Sequence, residues 1–129
     1  WGLSGVFDYW GEVDRHQKID FLNGLHVLSV PTTYKESKGL FILEALANGV
    51  PVVQPRHGTF PELIAVTGGG ILVEAESPDA IAEGISQLMS DRGYREQLGQ
   101  QGKEAVHHKF SDDVMAEATL AVYRKYINR

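Results

Sequence analysis

A helix pattern that runs directly into a buried-strand pattern is the feature that most constrains the fold of this chain. Gly39 opens an apolar run to Ala47, and its leucine, alanine and glutamate residues favour a helix packed on a sheet. Asn48-Gly49 is a typical helix stop, and Pro51-Val52-Val53 indicates a short strand buried on both faces. Together they predict an α/β fold with a parallel sheet.

The rest of the chain alternates in the same way. The predicted strands, about four in a partial doubly wound parallel sheet, run from Val6 to Trp10, from His26 to Val30, around Val52 and from Ile71 to Val73. The predicted flanking helices run from Asp14 to Asn23, from about Lys38, from Pro61 to Val66, from Pro78, from Asp91 and after Ser111. We expect Gly99 and Gly102 to weaken the fifth helix. We expect the sixth helix to bury an apolar stripe formed by Val114, Ala118, Ala121 and Val122.

Two glutamates flank the start of the helix after Gly39. Glu36 precedes it in a loop, and Glu44 lies about one and a half turns inside it. The first helix amides lack intrahelical partners and point at that loop, where a diphosphate fits, while carboxylates suit the hydroxyl groups of sugars. The loops of Glu36 and His57 each follow a predicted strand, so both should emerge at one edge of the sheet. The stretch from Glu36 to Glu62 therefore predicts a sugar-nucleotide site.

The spacing Glu36-x7-Glu44 and its flanking residues resemble one enzyme family. The matching positions are Pro31, Gly39, Glu44-Ala45-Leu46, Gly49, Pro51-Val52-Val53, Gly58 and Pro61-Glu62, with Val6, Phe7 and Gly11 upstream and Gly70-Ile71-Leu72-Val73 downstream. They are similar to the C-terminal, donor-binding domain of retaining glycosyltransferases of the GT-B fold, family four, also called glycosyl transferases group 1. The resemblance covers essentially the whole chain. It implies transfer of a hexosyl group from a nucleotide-diphosphate sugar to an acceptor hydroxyl.

The resemblance also implies roles for the central residues. Glu36 would be the catalytic residue beside the transferred sugar, and Glu44 would bind the ribose. The backbone amides of Gly39 and Leu40 would hold the diphosphate. From the residues alone, Glu36 could instead be a helix-capping acid, and Glu44 a solvent-facing helix residue.

Five further positions would border the donor. They are Lys38, His57, Gly58, Thr59 and Glu62. Lys38 stands where the family commonly has an aromatic residue, and it would either add a positive charge near the diphosphate or remain a solvated loop charge. Thr59 stands where the family commonly has a second glycine. His57 could bond the sugar or serve only as a turn residue, and Glu62 at a helix start would stabilise the helix dipole in either case.

Composition argues against several other functions. The chain has 12 Lys and Arg against 17 Asp and Glu, a net charge of −5, and no basic stripe of the kind that binds nucleic acid. It has no cysteine, and His107 and His108 are adjacent and point in different directions from a helix, so we expect no metal and no other cofactor. The absence of cysteine fits a cytoplasmic location, and no apolar run approaches the length of a transmembrane helix. The basic residues from Arg124 to Arg129 would complement the helix dipole or contact an anionic membrane surface.

The length of 129 residues suits a single domain, residues 1–129, whereas the resemblance implies a two-domain enzyme. Because the chain begins at Trp1 and its first strand matches the third of the order 3-2-1-4-5-6, we expect the N-terminal acceptor domain and the first strands to be missing. The strand from Val6 to Trp10 should then pair with the His26 strand or mediate self-association.

Activity of the isolated chain is not expected. The basic pair with which the family neutralises the leaving diphosphate has no counterpart in these residues. The partners implied are a nucleotide-sugar donor, the other domain, and an acceptor that could be a glycan, a lipid or a small molecule. The alternative is a non-catalytic nucleotide-binding or interaction module on the same scaffold. A sugar-nucleotide epimerase of similar architecture is less compatible with the motif.

Overall fold

The computed structural model describes residues 2–127, in which six helices flank a small parallel sheet. The elements in chain order are α1 (Arg15–Asn23), α2 (Leu40–Ala47), β1 (Val52–Pro55), α3 (Phe60–Thr67), β2 (Gly70–Val73), α4 (Pro78–Ser90), α5 (Arg92–Lys109) and α6 (Asp112–Ile127). The alternation confirms the predicted α/β class. At three of the predicted helix starts, the side chains of Asp14, Ser77 and Asp91 each accept a hydrogen bond from a backbone amide in the first turn of the helix.

The sheet is narrower than predicted. β1 and β2 pair in parallel, with Val52 opposite Gly70. The predicted strand from His26 to Val30 is reduced to one bridge, between Leu28 and Val52. The prediction of about four strands is therefore wrong for residues 2–127, where two strands and one isolated bridge form.

A proline explains why this third strand stops. Leu28 N donates to Pro51 O at 3.0 Å, and Val53 N donates to Leu28 O at 3.0 Å. The next donor along β1 would be Pro55, which has no N–H. The buried side-chain amide of Gln54 takes over, since in the orientation that satisfies both its groups it donates to Val30 O (3.0 Å) and accepts from Val30 N (3.2 Å).

The segment from Val6 to Trp10 is not a strand. Residues 6–10 are irregular and exposed, and the Trp10 ring makes an edge contact with Phe21 of α1 at 5.3 Å. This segment forms no ladder with a neighbouring strand among the described residues, and Val6 N donates to Leu3 O at 3.1 Å in a local turn. The predicted pairing with the His26 strand is therefore wrong. Self-association through this segment stays a prediction, although within residues 2–127 the segment forms no strand that could pair with a second copy.

The hydrophobic core lies on both faces of the sheet. One buried cluster joins α2, α3 and β1 and contains Leu22, Ile42, Ala45, Leu46, Val50, Val52, Phe60, Leu63, Ile64 and Val106. A smaller cluster under α4 contains Val53, Leu88 and Leu98. The loops at the carboxyl edge of the sheet are thus supported from both sides.

The helix α5 is continuous, although Gly99 and Gly102 were expected to weaken it. Both glycines allow close packing. A Cβ on Gly102 would lie 2.6 Å from Leu46 Cδ2, and one on Gly99 would collide with the carbonyl of Gly49. Packing against α2 and its C-terminal turn therefore outweighs the low helix propensity of glycine.

The predicted buried stripe on α6 is wrong, because no described residue of this helix is buried. Val114 and Val122 are both exposed, as are Ala118 and Ala121. Periodicity shows that a helix has an apolar face but not whether another element covers it. Asn128 and Arg129, part of the predicted basic end, lie outside the described residues. No helix between residues 2 and 127 is both long and apolar enough to cross a membrane.

Candidate functional site

Two loops meet at the carboxyl edge of the sheet, as predicted. His57, after β1, places Nε2 2.6 Å from the carbonyl oxygen of Thr32, and Thr59 N donates to Glu36 O at 2.9 Å. Since a carbonyl oxygen only accepts, Nε2 of His57 is the donor in this contact. These two bonds fix the loop of Glu36 against the start of α3.

Gly58 brings the loops into close contact. Its φ is +55°, and a Cβ there would lie 2.6 Å from Glu36 O and 2.8 Å from Glu36 N. Only glycine tolerates both the conformation and the space. Thr59 needs no such freedom because its φ is −81°. A threonine where the family commonly has a second glycine therefore causes no backbone strain.

The carboxylate of Glu36 caps the turn that precedes α2. Its Oε1 accepts from Lys38 N at 2.9 Å and from Gly39 N at 3.2 Å. The Lys38 amide, and after it the Gly39 amide, hold the pKa of this carboxyl below its ordinary value. Glu36 therefore closes the turn before the helix, and no side chain in the described part of the chain caps α2 itself.

This contact changes the predicted diphosphate site. The amide of Gly39 was expected to be open to the diphosphate, but Glu36 occupies it. Within residues 2–127, no protein acceptor is bound to the amides of Leu40 and Phe41. The open donors of α2 thus begin one residue later than predicted.

Gly39 also sets where α2 begins. It is the N-cap residue with φ +66°, so the helix starts at Leu40 rather than at Lys38. A Cβ on Gly39 would lie 2.7 Å from Leu63 Cδ1 and 3.1 Å from Thr59 Cγ2. The buried glycine therefore lets α2 start directly against α3.

Glu44 lies in the second turn of α2, on the side that faces α1. Its Oε1 is 2.8 Å from Nζ of Lys18 on α1, and the two side chains are 44% and 43% exposed. The pair borders a cavity of about 510 Å³ between α1 and α2, lined by Val13, Asp14, Arg15, Lys18, Ile19, Leu22, Glu44, Ala47 and Asn48. Lys18 was missed from the sequence because no local pattern connects it to a residue 26 positions away.

Three other predicted residues have different surroundings. The side chain of Glu62 is exposed in the first turn of α3 and makes no hydrogen bond or ion pair with the described residues, and the side chain of Lys38 is likewise exposed. His57 connects the loops and packs on Phe60, with ring centroids 5.4 Å apart. Its Nδ1 is buried without a partner in the described part of the chain.

A second cavity of about 490 Å³ opens at the same edge of the sheet. It is lined by Pro31, Thr32, Thr33, Pro55, Glu76, Ser77, Pro78 and Ile81. Glu76, with φ +59°, is the one non-glycine residue of positive φ between residues 2 and 127. Over that same range no cluster of three His, Asp or Glu side chains could hold a metal ion.

Comparison with known proteins decides the family. Residues 2–105 match the family described as glycosyl transferases group 1. This chain belongs to that family. It is 36% identical over 127 residues to a D-inositol 3-phosphate glycosyltransferase of Kribbella flavida, covering 95% of this chain and 28% of that protein. It is 39% identical over 98 residues to an uncharacterized glycosyltransferase of Methanocaldococcus jannaschii, covering 76% and 25%.

Solved structures agree with this assignment to glycosyl transferases group 1. Sucrose-phosphate synthase from Thermosynechococcus elongatus matches with a TM-score of 0.84 and 26% identity, over 94% of this chain and 30% of that chain. The C-terminal domain of a glycosyl transferase group 1 protein from Francisella tularensis matches with a TM-score of 0.69 and 30% identity, over 79% and 52%. The predicted GT-B C-terminal domain is confirmed. The chain spans about a quarter of the length of the two curated relatives above.

Proposed function

We propose that this chain is the donor-binding part of a retaining glycosyltransferase that moves a hexosyl group from a nucleotide-diphosphate sugar to an acceptor hydroxyl. Membership of glycosyl transferases group 1 supports transfer of a glycosyl group. The single observation that carries the donor assignment is the order of groups along α2: Glu36 before the helix, open amides at its first turn, and Glu44 at the α1–α2 cavity.

The nucleoside would occupy the cavity between α1 and α2. Lys18 engages Oε1 of Glu44, which leaves Oε2 to accept from the ribose hydroxyls. Val13 and Ile19 supply apolar surface for the base. A pocket with apolar walls and a few convergent polar groups is typical of small-molecule sites.

The diphosphate would lie at the first turn of α2. The amides of Leu40 and Phe41 and the positive end of the helix dipole favour an anion there, and the Lys38 side chain adds a positive charge in the preceding loop. Glu44 lies four positions after Leu40, a rise of about 6 Å along the helix. A ribose bound to Glu44 would thus have its diphosphate directed towards Glu36.

The hexose would then lie beside Glu36. In the proposed reaction the bond from the anomeric carbon to the phosphate oxygen breaks, and the nucleoside diphosphate leaves. The acceptor oxygen bonds to the same face of that carbon and gives its proton to the leaving phosphate. Positioned cations normally stabilise such a leaving group. Residues 1–129 contain no counterpart of the family's basic pair, so we propose that the isolated chain binds the donor without transferring it.

The remaining parts of the proposal concern partners and location. The named relatives include a D-inositol 3-phosphate glycosyltransferase and a sucrose-phosphate synthase, so acceptors differ among them and none is assigned to this chain. We propose that a second domain supplies the acceptor site and that no metal takes part. We also propose a cytoplasmic location for the protein. Arg124 and Lys125, in the last turn of α6, would be able to contact an anionic membrane surface.

Binding of donors to the chain tests the proposal. UDP, GDP, ADP and their glucose conjugates would be screened by thermal shift and titration calorimetry, because a ligand of the folded state raises the melting temperature. We expect one nucleotide series to bind and Glu44→Gln to weaken it about tenfold, whereas the matched control Glu117→Gln on exposed α6 leaves it unchanged. Absence of binding in all series, or full binding by Glu44→Gln, would contradict the assignment.

A further inference from the structure

The Glu36 carboxylate binds two backbone amides that lie next to the proposed diphosphate position. Its Oε1 bonds to the amides of Lys38 and Gly39, directly before the open amides of Leu40 and Phe41. A carboxylate and a diphosphate are both anions, and at close range in a partly buried loop they repel each other. A diphosphate on the amides of Leu40 and Phe41 would therefore favour a Glu36 carboxylate that has left the amides of Lys38 and Gly39.

Only the side chain of Glu36 is free to make this move. Its carbonyl oxygen accepts from Thr59 N at 2.9 Å, and Gly58 packs against its backbone. The bond from His57 to Thr32 O at 2.6 Å holds the preceding residues of the loop. A rotation about the side-chain bonds, with the backbone fixed, would thus carry the carboxylate away from α2.

We infer that Glu36 determines specificity for the sugar-bearing donor over the free nucleoside diphosphate, because its carboxylate competes with the diphosphate and is compensated only when a hexose is present. With the free diphosphate, the displaced carboxylate loses two amide donors and lies near phosphate charge. With the sugar attached, hexose hydroxyls replace those donors. The inference rests on the proposed donor site and gives Glu36 a binding role distinct from the catalytic one.

Such a residue would also limit inhibition by product. The nucleoside diphosphate that remains after transfer has no hexose to engage Glu36, so the carboxylate returns to the amides of Lys38 and Gly39. Competition from an internal group lowers apparent affinity by the fraction of molecules in which the site is open. A closed fraction near four fifths would weaken binding of the free diphosphate about fivefold.

The test compares wild type with Glu36→Ala and Glu36→Gln in the 129-residue chain. Calorimetric titrations would use whichever of UDP, GDP or ADP the wild type binds, and the glucose conjugate of that nucleotide. We expect Glu36→Ala to bind the free diphosphate about fivefold more tightly and the preference for the conjugate to fall about tenfold. Glu36→Gln keeps an acceptor for the amides without the charge, so its gain should be smaller. Glu74→Gln, an exposed residue just after β2 at the same edge, controls for loss of one negative charge.

Each outcome decides the inference. Tighter binding of the free diphosphate by Glu36→Ala, with Glu74→Gln unchanged, supports it. Unchanged or weaker binding in Glu36→Ala overturns it while leaving the donor site in place. If the wild type binds none of the three diphosphates, the donor site and the inference are both overturned. Should Glu36→Ala fail to fold, Glu36→Gln decides, and its Lys38 and Gly39 amide resonances must shift relative to wild type in the absence of ligand.

Discussion

Lys18 Nζ lies 2.8 Å from Glu44 Oε1, and this ion pair connects α1 to α2 across the cavity assigned to the nucleoside. Both side chains are nearly half exposed, so the pair adds little to stability by itself. It fixes the direction of the Glu44 carboxylate instead. Lys18 is therefore a positioning residue for the proposed ribose contact.

Replacing Lys18 should weaken nucleotide binding more than it weakens the fold. We expect Lys18→Met to lower affinity for the nucleoside diphosphate about threefold to tenfold and the free energy of unfolding by no more than about 1 kcal/mol. Titration calorimetry and urea unfolding measure the two effects. Lys125→Met, on exposed α6, is the matched control. Equal affinity in Lys18→Met and wild type would remove the positioning role.

Gly39→Ala should destabilise the start of α2. Its φ of +66° strains any residue with a Cβ, and that atom would lie 2.7 Å from Leu63 Cδ1. We expect a loss of about 2–4 kcal/mol in the free energy of unfolding, measured by chemical denaturation.

Gly93 offers a matched control for this change. It lies in the first turn of α5, where a Cβ would approach only Asp91 Oδ1, at 3.6 Å. Gly93→Ala should be neutral or stabilising, because alanine favours a helix. A loss in Gly93→Ala as large as in Gly39→Ala would show that the effect is not specific to the Gly39 turn.

The contact from His57 to Thr32 should depend on an N–H donor at the Nε2 position. We expect His57→Gln, which can place a side-chain N–H near the Thr32 carbonyl, to keep most of the affinity for the nucleotide sugar. His57→Leu lacks the donor and should lose about 1–2 kcal/mol of stability together with preference for the sugar conjugate. Melting temperatures and calorimetric affinities of the two variants check this. Equal losses in both would mean that ring packing on Phe60, not the hydrogen bond, is what matters.

Glu36 should make stability dependent on pH in the acid range. Amide hydrogen bonds lower its pKa in the folded state below the ordinary value of 4.5. A carboxyl of depressed pKa contributes stability above its unfolded pKa, and the contribution is lost as pH falls through the folded value. The stability difference between wild type and Glu36→Gln should therefore shrink as pH falls below about 4.5. Urea unfolding at pH 7, 5, 4 and 3 measures it, and a difference independent of pH would contradict the capping contact.

Local patterns predicted the parts of the fold that depend on local chemistry. The caps Asp14 and Ser77 and the apolar run at Val52 appear in the sequence within a few residues of the structure they specify. The positions of Glu36 and Glu44 relative to α2 follow from the same patterns. What the sequence could not show is which side chain meets which across the chain, as between Lys18 and Glu44.

Two of the wrong predictions share one physical cause. The apolar segment from Val6 to Trp10 and the apolar face of α6 both have the pattern of a buried element. Burial needs a partner surface, and within residues 2–127 both stay exposed, apart from the edge contact of Trp10 with Phe21. The third strand failed for a different reason, since Pro55 removes the donor that would have extended its pairing beyond Leu28.

The Gln54 side chain bonds to Val30 where a longer strand would use backbone groups, and this affects which loop residues can change. Gln54 holds Val30, His57 holds Thr32, and Thr59 holds Glu36, so the loop is anchored from both ends. The three residues 33–35 between the anchors are exposed. This short stretch can therefore change in composition, and with it the exposed surface at this edge of the sheet, while Glu36 keeps its place before α2.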